Sequence, residues 1–112
     1  MVTSPRARTL DHVFGALADP TRRAILARLT RGDATVGELA EPFAMSRPSI
    51  SKHLDVLERA GLLHRVPDGR VNRCRFDGAP LRDAFELMQD YRGFWDDQMD
   101  KLAGFFQKER TR

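Results

Sequence analysis

Only one cysteine, Cys74, stands among the 112 residues. No disulfide can therefore form within the chain, and a cytoplasmic setting fits. No apolar run approaches the roughly 18 residues of a membrane span. The opening stretch Met-Val-Thr-Ser-Pro-Arg-Ala-Arg lacks the apolar core of a signal peptide. There is no glycine-rich phosphate loop, no nucleophile elbow, and no histidine set beside a carboxylate and a nucleophile. Repeats and low-complexity tracts are absent too. These absences argue against a membrane protein, a disulfide scaffold and an enzyme. What remains is one small domain, 41% apolar, with a core that gains from dimerisation.

The net charge is only +3, so its distribution matters more than its size. Residues 46–76 carry seven Lys or Arg against three Asp or Glu, whereas residues 77–112 carry six against eight. The excess positive charge is gathered in one central segment, as a nucleic-acid footprint would be.

Residues 1–8 read as a flexible tail. Leu10, Val13, Phe14 and Leu17 fall at i, i+3, i+4 and i+7, which predicts a first helix over 9–18. Asp19-Pro20 restarts the helix, with Asp as cap and Pro in the first turn. This second helix runs to about Arg31, where Gly32 ends it. Thr35 and Glu38 form a capping box for a short third helix over 36–41, and Pro42 biases Glu41 out of it. Phe43 and Met45 plug the turn that follows.

The stretch from Met45 to Leu57 is the most informative. Ile50, Leu54 and Leu57 share one helical face, and Pro48, Ser51, Lys52 and Arg59 share the other. Ser46 caps a fourth helix that starts at Arg47 and ends before Gly61. Two short helices about a tight turn, the second polar outside, make a helix-turn-helix. Small and cationic side chains at such a helix start suit the DNA major groove. Leu63–Pro67 and Arg70–Phe76 then flank Asp68-Gly69, a two-residue hairpin signal. A basic hairpin after a recognition helix is a wing, and Arg70 and Arg73 are its candidates for phosphate contact.

The last segment, about 80–109, reads as one long helix or a helix with a soft joint. Leu81, Phe85, Met88, Trp95, Met99, Leu102 and Phe106 repeat at alternating spacings of four and three, interrupted by Arg92. This stripe is too large for a small domain to cover alone, and a second chain is its natural cover. The expected interface comprises Leu10, Phe14, Phe85, Met88, Trp95, Met99 and Leu102. The expected fold is mainly α with a small β-hairpin, in the order α-α-α-α-β-β-α. Its domain spans 9–106 and is followed by a tail over 107–112.

Four stretches together resemble winged-helix repressors of the ArsR/SmtB type: Phe14–Leu26, Val36–Ala40, Ser46–Leu54 with Leu57–Leu62, and Tyr91–Trp95. The similarity covers about residues 9–106. It implies a homodimeric transcription regulator, usually a repressor, that binds a palindromic double-stranded operator. It also implies that Arg47, Ser49, Ser51, Lys52 and His53 face DNA, and that the first and last helices form the dimer interface. Metal-sensing members use cysteine pairs in the third helix, or Asp and His near the ends of the last. Here the third helix has no Cys, and the last has neither His nor Cys. The resemblance is to the metal-free branch, with no metal and no cofactor expected. Any small-molecule or protein effector goes unnamed by the sequence.

Two other functions compete: a winged helix used for protein interaction, and a metal-responsive repressor with an unusual site. At the residue level, His53 suits either packing or a DNA contact. Cys74 reads as a small core hydrophobe, and Asp96-Asp97 as a solvated face. Trp95 with Phe94 and Tyr91 suits interface packing or a ligand pocket at the dimer seam.

Overall fold

The protein is described by a computed structural model over residues 4–110, with side chains through Lys108. The described residues form six α-helices and a three-stranded antiparallel sheet. The first helix, α1 (Pro5–Leu17), starts four residues before the expected boundary because Ser4 caps it and Pro5 occupies the first turn. Arg6 reaches Glu86 at 2.8 Å on the fifth helix, which gives this first turn a tertiary anchor. Residues 5–8 are therefore helical where a tail was expected, and residues 1–3 lie outside the described range.

Asp19 caps α2 (Pro20–Leu29), its carboxylate accepting the Arg22 N–H at 3.0 Å. The strand β1 (Ala34–Thr35) leads directly into α3 (Val36–Ala40), whose Thr35/Glu38 capping box is complete. Glu41 keeps helical dihedrals, contrary to the expected effect of Pro42, because Pro42 sits in the first turn of a 3₁₀ segment, Glu41–Phe43. Ala44 then turns the chain with φ 52°. Ser46 caps α4 (Arg47–Arg59). At the far end, Gly61 at φ +76° donates to Glu58 O and Leu62 donates to Leu57 O, a complete Schellman motif.

The hairpin strands are β2 (Leu63–Asp68) and β3 (Val71–Phe76), and the spatial order is β1-β3-β2. Asp68 pairs with Val71, so the loop is Gly69-Arg70, one residue later than expected. Gly69 alone has positive φ, the pattern of a type II′ turn, and this sets Arg70 at the wing tip. The expected hairpin becomes a three-stranded sheet because β1 pairs Ala34 with Cys74.

The core joins α2, α3, α4 and the sheet through Ile25, Leu29, Leu39, Ile50, Leu54, Leu57, Leu62 and Leu63. Cys74 is fully buried among them, and burial pushes its thiol pKa up. Phe43 and Met45 pack on this core. Beyond the sheet, α5 (Ala79–Gln89) lies against α1. A break at Asp90-Tyr91 separates it from α6 (Arg92–Arg110). The helix extends past the expected tail boundary at 107, and residues 111–112 lie outside the described range. No described side chain of α6 is buried. No helix among the described residues is long and apolar enough to cross a membrane.

Candidate nucleic-acid interface

The two faces of α4 carry opposite chemistry. Ile50, Leu54 and Leu57 anchor it in the core, while Arg47, Pro48, Ser49 and Lys52 are exposed. The Ser46 hydroxyl accepts the Ser49 N–H at 3.3 Å and donates to Ser49 Oγ at 3.0 Å. No acidic side chain stands in the first turn, so the positive helix end is uncompensated and open to an anion.

Three elements converge beside this helix start. Thr35 and Gly37 from the β1–α3 junction, Arg47 and Ser51 from α4, and Arg70 and Asn72 from the wing line a cleft of about 290 Å³. A Cβ at residue 37 would stand 3.0 Å from Arg47 Nη2. The bare backbone of Gly37 is what lets the guanidinium lie across the start of α3. Neither Arg47, Lys52 nor Arg70 has a carboxylate partner among the described residues. Unpaired cations around a groove are free to exchange their counterions for phosphates.

Three other basic residues of this region are already engaged, and Arg59, exposed at the far end of α4, has no carboxylate partner among the described residues. Arg73 donates through Nε to Asp68 within the wing at 2.7 Å, and that bond raises its pKa. Arg75 is held by Asp33 at 3.1 Å. Arg65 counts toward the basic face in sequence, but its side chain is only 25% exposed and bonds to Asp55, with Glu58 at 3.4 Å. It fastens β2 to the outer edge of α4 and so fixes the wing against the recognition helix. Among the candidates, then, Arg47, Ser51 and Arg70 meet at the cleft. Ser49 and Lys52 lie on the adjoining exposed face, and Arg73 is tied within the wing.

His53 turns away from that face, its Nδ1 lying 3.3 Å from Arg22 Nη1 and 3.9 Å from Asp19 Oδ2. Arg22 itself donates to Ala16 O at 2.8 Å and to Gly15 O at 3.1 Å, and Arg23 donates to Leu17 O at 2.8 Å. This role of Arg22 and Arg23 is not among the sequence expectations, which give only Asp19 and Pro20 a part in this junction. The available signal was two arginines a few residues beyond a helix end, where the last carbonyls need donors.

Among the described residues, no three of His, Cys, Asp and Glu converge as a metal ligand set would. A helix-turn-helix domain family model matches residues 17–66. The transcriptional repressor SdpR of Bacillus subtilis is 38% identical over 82 residues, 73% of this chain and 91% of its own. The crystal structure of an ArsR family transcriptional regulator superposes with a TM-score of 0.74 at 42% identity, covering 86% of this chain and 97% of the other. A solution structure of a homodimeric winged helix-turn-helix DNA-binding domain from Mycobacterium bovis superposes with a TM-score of 0.63 at 25% identity, covering 80% and 90%.

Proposed function

Because the chain belongs to the ArsR/SmtB-type winged helix-turn-helix transcriptional regulators, we propose that it works as a homodimeric repressor of a palindromic operator. The observation that carries this reading is the cleft where α3, α4 and the wing meet. There Arg47 and Arg70 have no carboxylate partner among the described residues, and the positive end of α4 is open. The first turn of α4 enters the major groove, with Ser49, Ser51 and Lys52 at base edges and phosphates and Arg47 on the backbone. Arg70 at the wing tip extends along the phosphates, and Arg73 joins it if DNA displaces Asp68.

Dimerisation follows from what the monomer leaves uncovered. Phe85 is 64% exposed, and Met88, Tyr91, Phe94, Trp95, Met99, Leu102, Phe105 and Phe106 are exposed with it. Together they present on the order of 1,000 Å² of apolar surface, above the 300–600 Å² usual for the largest patch on a monomer. The radius of gyration, 19.4 Å, exceeds the roughly 13 Å of a compact domain of this length. A second copy, joined about a two-fold axis through α1, α5 and α6, covers this face with the same face of its own. That the similar Mycobacterium bovis domain is homodimeric supports the pairing of two copies. Occupying a promoter excludes polymerase, and a chain this small needs no further surface to repress.

Fluorescence anisotropy on DNA from the protein's own upstream region, with scrambled DNA as control, tests the reading. Affinity is expected to be site-selective and to fall steeply as salt rises, because each phosphate contact releases counterion. Binding that is weak at every salt concentration would favour a protein-interaction role for the winged helix. Release by zinc would favour an unusual metal site.

A further inference from the structure

We infer that Arg22 is a positioning residue for DNA reading, locking the recognition helix α4 to the end of α1 through His53. This inference rests on the DNA-binding reading above. The Arg22 side chain is shared among three elements. Its Nε and Nη2 satisfy the Ala16 and Gly15 carbonyls at the close of α1, and its own N–H is held by the Asp19 cap of α2. The remaining guanidinium nitrogen, Nη1, points at His53 Nδ1 on α4. Guanidinium nitrogens only donate, so His53 Nδ1 must accept. The bond therefore requires the tautomer with the imidazole proton on Nε2.

The position of this link gives it a function. His53 adjoins Lys52 on the helix that enters DNA, and α1 carries Leu10 and Phe14 and packs against α5. Arg22 thus spans the join between the dimer scaffold and the reading helix. Two half-sites can be read together only if each α4 keeps a fixed angle to the two-fold axis. The protonation state of His53 then matters. A proton on Nδ1 would set an N–H donor against a cation that can only donate, and one of the two must withdraw. The ionisable groups facing the ring are Arg22 and, farther off at 3.9 Å, Asp19. From α1 the neighbouring groups are the Gly15 and Ala16 carbonyls.

A positioning role and a direct phosphate contact by His53 predict opposite responses to acid. A protonated histidine touching phosphate would strengthen binding, whereas loss of the Arg22 bond weakens it. Anisotropy titrations of the dimer are run at about pH 8 and about pH 5.5, the interval over which imidazoles titrate. They use wild type, Arg22→Gln, His53→Ala and the double variant, with circular dichroism and sedimentation confirming folded dimers. At the higher pH each single variant is expected to bind about tenfold more weakly, and the double variant to lose no more than either. The His53→Ala background carries any effect of His12 and His64. Relative to it, wild type loses its advantage at the lower pH. Penalties that add, or a wild-type advantage that grows in acid, would overturn the positioning role while leaving DNA binding intact. If Arg22→Gln fails to fold, the wild-type and His53→Ala pH series decide alone. Absence of selective binding by wild type would instead overturn the proposed function, and this role with it.

Discussion

Charge on this surface matters residue by residue, and pairing decides which residues can act. Seven basic residues lie between 46 and 76, yet Arg65, Arg73 and Arg75 are held by Asp55, Asp68 and Asp33. Arg47, Lys52, Arg59 and Arg70 have no carboxylate partner among the described residues, and of these Arg47, Lys52 and Arg70 are the ones proposed to contact DNA. Arg47→Ala and Lys52→Ala are each expected to weaken operator binding at least about tenfold and to flatten its salt dependence. Thermal melting should barely move, since both side chains are exposed. Arg75→Ala is the control. Unchanged affinity in both α4 variants would remove this helix from the reading role. Which cations are paired was not legible in the chain, because each pairing joins strands or helices brought together only by folding. The amphipathic division of α4 was legible, because helical spacing alone sorts Ile50, Leu54 and Leu57 from Lys52.

The elements are closed by side chains at their ends, and three of those side chains titrate. Asp19 accepts the Arg22 N–H, Glu38 completes the capping box with Thr35, and Asp77 accepts the Ala79 N–H and pairs with His64 at 2.7 Å. These bonds favour the charged carboxylates and hold all three pKa values below their ordinary ones, with backbone hydrogen bonding the largest cause for Asp19 and Asp77 and the Thr35 hydroxyl for Glu38. Stability from a carboxylate whose folded pKa is lowered is fully present above its ordinary range and lost as the pH falls through the lowered value. The melting temperature is therefore expected to hold at neutral pH and to drop below about pH 4. Asp19→Asn, which caps without titrating, should retain the neutral melting temperature and lose part of the acid drop. A variant as acid-sensitive as wild type would deny Asp19 that role. Caps and breaks were the most readable features of the chain, because Ser, Asp, Thr, Pro and Gly act locally. The strand β1 was not readable, since two residues show no alternation and its pairing with β3 is set by the sheet. The Ser4-Pro5 start of α1 was signalled locally but lay ahead of Leu10, the first residue of the apolar stripe.

As a whole molecule the chain, 69 Å in its greatest extent, is a compact reading head with a long uncovered arm. The head is held by its own core, whereas α6 contributes no buried side chain among the described residues. The apolar arm was visible in sequence as a stripe from Leu81 to Phe106. Folding divides it: Leu81 packs on the core while Phe85, Trp95 and Met99 stay exposed. Trp95 meets Phe94 edge-on at 5.4 Å and lies mid-stripe, where a partner's face would bury it. Truncating it removes a large apolar surface from the proposed seam without touching the head. The central claim is that a dimer built on this arm sets two copies of α4 in successive major grooves. Hydroxyl-radical footprinting of wild type and Trp95→Ala on the upstream operator tests it most directly. Wild type is expected to protect two stretches on one face of the DNA, about 10 base pairs apart. Trp95→Ala, monomeric in sedimentation, should protect neither at the same concentration. A single protected stretch with wild type, or an undiminished double footprint from a monomeric variant, would contradict the account.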